Sequence, residues 1–149
     1  MAMRLRAKGG DPLKTLSLAL QGMPQKIRRL AIAQVRVYVS GQIDAQYVSG
    51  RSVNGETWPK PKAGNTPMIR TGNLRAGYSY KATPTATSAS ISIENRMAYA
   101  AFLQSGTSRM AARRHVPGRS LPSEWKREMA AIYRRACEAW ANGVKFGNG

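Results

Sequence analysis

Between Gln25 and about Tyr47 the apolar residues fall on one helical stripe: Ile27, Leu30, Ala31, Val35, Tyr38 and then Ile43, with Lys26, Arg29, Arg36 and Gln42 largely outside it. This spacing predicts a first main helix. A clearer stripe runs through Trp125, Met129, Ile132, Tyr133, Ala136 and Trp140, spaced 4, 3, 1, 3 and 4, while Lys126, Arg127, Arg134, Arg135 and Glu138 lie mostly elsewhere. Pro122 and Ser123 open this last helix, with Ser123 as its expected cap, Glu124 near the positive end of its dipole and Asn142-Gly143 as its stop. Between the two helices the period changes to two. Leu74, Ala76, Tyr78 and Tyr80 alternate with Arg75, Gly77, Ser79 and Lys81; after Thr83-Pro84-Thr85, Ala89, Ile91 and Ile93 alternate with Ser88, Ser90 and Ser92. The pattern predicts an antiparallel hairpin with polar outer faces. Tyr99 to Gln104 is a short apolar patch read as a helical turn ending at Gly106, and Met110 to Leu121 is a basic loop.

Other stretches lack a period. Residues 1–11 read as a basic flexible leader, because Arg4, Arg6 and Lys8 surround little that could be buried. Leu13, Leu16 and Leu20 have helical spacing, yet Leu16, Leu18 and Leu20 also alternate, so helix and short strand both fit. Residues 48–73 carry Gly50, Gly55, Gly64 and Gly72 with Pro59, Pro61 and Pro67, which argues against a continuous helix or central strand. They read as a long projecting loop or arm. Residues 143–149 read as a flexible tail. The remaining span, 12–142, is expected to be one α+β domain, a small antiparallel β-sheet packed against two main helices.

Composition narrows the chemistry. A chain of 149 residues is long enough for one ordinary domain that can fold without disulfides or metal. One cysteine, Cys137, cannot form an internal bridge, and one histidine, His115, leaves no site needing two imidazoles. Cys137 with His115 is the nucleophile and base pair worth testing, but Cys137 adjoins the buried stripe of the last helix, where a small core residue explains it better. The seven acids are scattered, with only Glu124 and Glu128 one helical turn apart, so no magnesium or glycosidase site is expected. No phosphate-cradling glycine loop is present. No cofactor is expected.

The charge is lopsided: 24 Lys plus Arg against 7 Asp plus Glu leave +17, an attraction to polyanions of any class. No run approaches the ~18 apolar residues of a membrane span, so no membrane contact is expected. Arg109, Arg113, Arg114 and Arg119 lie in a stretch without an acid, which fits a solvated loop, a docking face for an acidic protein or a seat for nucleic-acid phosphates. Trp58, among Gly55, Pro59 and Pro61, either folds back onto the domain or anchors an interface. Tyr78 and Tyr80 could imitate an RNA-stacking sheet, but alternating strand positions of this kind normally point inward.

Segments Asn54-Gly55-Glu56-Thr57-Trp58-Pro59, Ile69-Arg70-Thr71-Gly72-Asn73-Leu74-Arg75, Tyr99-Ala100-Ala101-Phe102-Leu103-Gln104-Ser105-Gly106-Thr107 and Val116-Pro117-Gly118-Arg119-Ser120-Leu121-Pro122 occur in that order. Together they resemble the virion-morphogenesis and tail-completion proteins of tailed phages, with G-x-x-W-x-P, T-G-x-L-R, Y-A-x-x-x-Q-x-G and P-x-R-x-[FL]-x elements, and the likeness runs over roughly residues 25 to 140. The departures are Ser120 or Leu121 for the usual aromatic of the last loop, and the basic stretch from Arg109 to Arg119. The resemblance implies a noncatalytic α+β subunit that assembles as a homo-oligomeric ring, a hexamer, at the head-to-tail junction or tail end of a virion. Its implied partners are phage neck, adaptor or tail proteins, while contact with packaged DNA is an expectation from the +17 charge. Candidate contact residues are Trp58, Pro59, Arg70, Arg75, Tyr99, Gln104, Arg109, Arg113, Arg114 and Arg119; Gly72 and Gly106 are the positions expected to need a positive φ. The alternative is a basic nucleic-acid-binding protein contacting DNA phosphates.

Overall fold

The computed structural model describes residues 3–4, 24–59, 72–85 and 89–142. In chain order the elements are β1 (Met3–Arg4), α1 (Gln25–Ser49), α2 (Asn73–Ala76), β2 (Tyr78–Pro84), β3 (Ala89–Asn95), α3 (Ala100–Ser105) and α4 (Ser123–Ala141). The expected α+β class holds: a small antiparallel sheet packs against two long helices. The segment around Leu13 to Leu20, the stretch 60–71 with Arg70, and the tail 143–149 lie outside the described residues.

Strand order in the sheet is β1-β3-β2. The hairpin pairs Tyr78 with Asn95, Tyr80 with Ile93 and Ala82 with Ile91, which sets the partly buried side of β2 beside the buried Ile91 and Ile93 of β3. Met3 and Arg4 pair with Ile93 and Ser92 on the other edge of β3, so these two residues of the expected leader belong to the sheet. A basic sequence without apolar bulk still offers backbone hydrogen bonds, and an open strand edge accepts them.

The first helix buries Ile27, Ala31, Ile32, Val35, Val39, Ile43 and Tyr47. Leu30, expected on this face, is exposed because at 100° per residue it lies roughly 160° from the centre of the buried arc. Gly50 ends the helix in the left-handed region, its N–H donating to Gln46 O at 2.8 Å. On α4, Trp125, Met129, Ile132 and Tyr133 are buried and Ala136 is partly buried against the core, whereas Trp140 is exposed. Tyr38 meets Trp125 edge to face at 6.2 Å. The expected Ser123 cap is corrected: Pro122 holds the cap position without a side-chain bond, and its carbonyl accepts the Lys126 N–H. Proline enters a helix already near its required φ and leaves Ser123 as the first helical residue.

Leu74 and Ala76 depart from the expected strand. Gly72, at φ 72°, turns the chain into α2, where the Ala76 N–H donates to Gly72 O at 2.9 Å and Leu74 faces inward. Alternation of four apolar residues cannot distinguish a strand from a short turn that buries its first member and leads into a strand. Residues facing the interior form two clusters. Ile27, Val35, Val39, Ile43, Ile91, Ile93, Val116, Trp125, Met129 and Tyr133 belong to the larger one; Tyr47, Trp58, Leu74 and Ala100 make the smaller.

Ile43 is 1% exposed and Val37 is 64% exposed on the same helix. Ile43→Ala is expected to lower unfolding free energy by about 2–5 kcal/mol in urea denaturation, and Val37→Ala to change it by less than about 0.5 kcal/mol.

Candidate functional site

The smaller cluster joins Tyr47 of α1 to Trp58, Leu74 and Ala100, one residue from each of the first three segments quoted above. Trp58 is 2% exposed, its ring edge-on to Tyr47 at 5.5 Å, and its indole N–H donates to Arg114 O at 3.0 Å. The backbone before it closes locally: Arg51 bridges Thr57, Ser52 Oγ accepts from the N–H groups of Asn54 and Glu56, and the Trp58 N–H reaches Gly50 O at 3.0 Å. The expectation of a projecting arm is therefore corrected for residues 48–59: Val48 and Ser49 end α1, Gly50 caps it, and Trp58 is an anchor within its own chain. A buried indole removes a large apolar area from water and still needs a partner for its N–H, which the Arg114 carbonyl supplies.

His115 lies at the centre, 0% exposed. Its Nε2 is 2.9 Å from Ala100 O, a group that can only accept, so Nε2 carries the proton. Nδ1 is then the acceptor for the Tyr78 hydroxyl, and the Tyr47 hydroxyl, 3.1 Å from that of Tyr78, donates in turn. The backbone of the same residue is also held. Gln104 Oε1 accepts from the N–H groups of His115 and Val116 at 2.9 and 3.2 Å, its Nε2 donates to Val116 O at 3.0 Å, and Gln46 Nε2 donates to His115 O at 3.0 Å.

Titration follows burial. Desolvation holds the His115 imidazole below its ordinary range and raises the phenols, Tyr47 to about 12 and Tyr78 further. Burial also pushes the Cys137 thiol up. Both ring nitrogens of His115 are taken by Ala100 and Tyr78, so neither is left to act as a base toward that thiol. No three His, Cys, Asp or Glu residues gather as a metal site among the described residues, and no helix there is long and apolar enough to cross a membrane. Such an arrangement fixes shape; it keeps its groups in one protonation state near neutral pH.

Other candidates divide between internal and external work. Arg75 grips Asp44 with two bonds of 2.5 Å, tying α2 to α1, and the pair holds the Asp44 carboxyl below its usual range. Arg113 Nε donates to Pro59 O at 3.3 Å, and Arg114 lies 3.6 Å from Glu56, so both return to the Trp58 segment. Gln104 belongs to the His115 knot. Arg109 and Arg119 are exposed, as are Pro59 and Tyr99. Gly106 has φ 76°, and a Cβ there would meet Ala112 N at 2.8 Å, so both φ and space require glycine.

Phe102 was not among the candidates, yet it is 59% exposed, beside Tyr99 at 43%. On α3, Ala100 points into the core, and 100° per residue puts Phe102 on nearly the opposite side. The outward position was readable once Ala100 was known to face inward; the sequence alone does not say which face of so short a helix is buried.

Trp58→Ala is expected to lower stability by about 3–5 kcal/mol in chemical denaturation, with loss of a buried-tryptophan fluorescence component. The unfolded chain binds a proton on His115 from about pH 6.5 downward, whereas the folded chain resists it. Stability therefore is full above about pH 6.5 and falls as pH drops below it, with a slope of at most about 1.4 kcal/mol per pH unit from this residue. Thermal melts of wild type and His115→Gln across that window check it; the variant is less stable and lacks this component of the slope.

No family model, no curated protein and no solved structure matches the chain.

Proposed function

We propose that the chain is a noncatalytic structural protein of a tailed-phage virion, closing into a hexameric ring at the head-to-tail junction or tail end. The observation that carries this reading is convergence. Trp58, Leu74, Ala100 with Gln104, and His115 with Val116 come from the regions of the four family-like segments, and they pack or hydrogen-bond on one another. Such mutual contact gives a physical reason for the elements to occur as a set. It supports a shared structural frame and assigns Trp58 and Gln104 to that frame.

Assembly then uses what the frame leaves outside. Tyr99 and Phe102 form an apolar outer face on α3, with exposed Arg109 and Arg119 on the loop that follows. Aromatic and arginine side chains are the types that dominate binding energy in protein interfaces. A ring needs heterologous contacts that close, so this face would meet a different surface of the next subunit. Neck, adaptor or tail proteins would take the two open faces of the ring.

Light scattering of the purified protein at about 0.1 and about 1 M NaCl, with and without DNA, tests the reading. The expected result is a six-chain mass that persists at high salt, where exposed charge pairs are screened and apolar contacts are not. Phe102→Asp is expected to reduce the mass to that of one chain while leaving the circular dichroism unchanged. A monomer that grows only with DNA, and reverts as salt rises, would replace the ring with the nucleic-acid-binding alternative.

A further inference from the structure

One hydrogen bond shows which side of β2 is free. The Arg96 N–H donates to Gly77 O at 3.0 Å, one step beyond the pairing of Tyr78 with Asn95. Bonded and non-bonded pairs alternate along an antiparallel ladder, so Ser79, Lys81 and Thr83 turn their backbone groups to β3. Tyr78, Tyr80, Ala82 and Pro84 turn theirs the other way, where no described strand lies. That edge presents the N–H groups of Tyr80 and Ala82 and the carbonyls of Tyr78, Tyr80 and Ala82, repeating every ~6.8 Å. Pro84 has no N–H, and because its nitrogen faces this edge the pairing with β3 loses nothing.

The side chains of the same residues border an open trough against α1. One part, about 440 Å³, is lined by Arg29, Ala33 and Arg36 of the helix; a second, about 320 Å³, by Gly41 and Asp44; Tyr80 lines both. Between its charged ends this flank of α1 carries Ala33 and Gly41, and a Cβ placed on Gly41 would meet nothing within 4 Å. Glycine weakens a helix interior, and here it leaves room beside β2. An unpaired strand edge next to an open, helix-walled trough is the geometry that takes an extended peptide as an added strand, with alternate side chains entering the trough.

Charge selects among strands. Arg29 and Arg36 are exposed on the trough and in no ion pair among the described residues, while Asp44, which lines its other part, is held by Arg75. Pairing of β2 with β2 of a second copy would bring Arg29 and Arg36 of both copies to one trough, and like charges brought together there oppose it. We infer that the free edge of β2 takes an extended, acidic segment of a partner protein, its backbone bonded to Tyr80 and Ala82 and its carboxylates to Arg29 and Arg36. This surface is separate from the α3 face, and the inference goes beyond the ring without depending on it.

Amide hydrogen exchange read residue by residue tests it, with an end-capped Val-Glu-Val-Glu-Val-Glu-Val peptide as the probe. In the free protein the Lys81 N–H is protected and those of Tyr80 and Ala82 exchange fast; about 1 mM peptide is expected to slow these two at least about tenfold. Gly41→Leu fills the trough while favouring the helix, so it should raise the melting temperature yet weaken peptide binding at least about tenfold. Arg29→Glu with Arg36→Glu should weaken binding as much, whereas Arg127→Glu with Arg134→Glu on α4, an equal change of charge, should weaken it less than about threefold. Methylating the peptide's backbone nitrogens at alternate residues separates strand addition from adhesion: one alternate set abolishes binding and the other leaves it. Equal loss in the two charge variants, equal effects of the two methylated sets, or unchanged exchange of Tyr80 and Ala82 with peptide present overturns the inference. Protection of those amides that rises with protein concentration alone assigns the edge to a second copy and overturns it as well. The light-scattering mass of Gly41→Leu, expected to equal that of wild type, keeps this result distinct from any failure of the ring.

Discussion

A fully buried imidazole must find partners for two ring nitrogens and two backbone groups, because each one left bare would cost about 1–3 kcal/mol. His115 finds them in Ala100, Tyr78, Gln104 and Gln46. These four residues belong to α3, β2, α3 again and α1. Satisfying one residue, side chain and backbone together, thus ties three elements to the loop that carries it. Trp58 closes the same arrangement through the Arg114 carbonyl, one residue before His115.

That constraint sorts the polar and aromatic residues into inner and outer sets. Tyr47, Trp58, Tyr78 and Gln104 turn inward, where their hydrogen bonds are met. Tyr99, Phe102, Arg109 and Arg119 remain outside, exposed to solvent. The net charge of +17 is likewise not a uniform coat. Bonds to Asp44, Glu56, Glu128 and the Pro59 carbonyl draw some arginines back to the protein, while Arg29, Arg36, Arg109 and Arg119 stay exposed. The buried polar network and the exposed charge are therefore separate layers of one sequence.

Legibility followed periodicity. The two long helices and the hairpin repeat their apolar spacing often enough to outweigh local exceptions, and they lie where Ile27 to Tyr47, Tyr78 to Ile93 and Trp125 to Tyr133 indicated. The stretch from Arg51 to Pro59 has no period, so nothing local decided whether Trp58 faced in or out; a carbonyl 56 residues away decided it. Leu74 misled because a single inward turn before a strand mimics an extra strand pair. Gly72 and Gly106 were readable, since glycine in a turn signals a positive φ.

The arrangement rests on the tautomer and shielding of one ring. Long-range proton–nitrogen NMR of ¹⁵N-labelled protein reads both directly. The account predicts a neutral His115 with the proton on Nε2, Nδ1 shifted by an accepted hydrogen bond, and no titration near pH 6.5. A proton on Nδ1, or a ring that titrates near pH 6.5 like an exposed histidine, would contradict it.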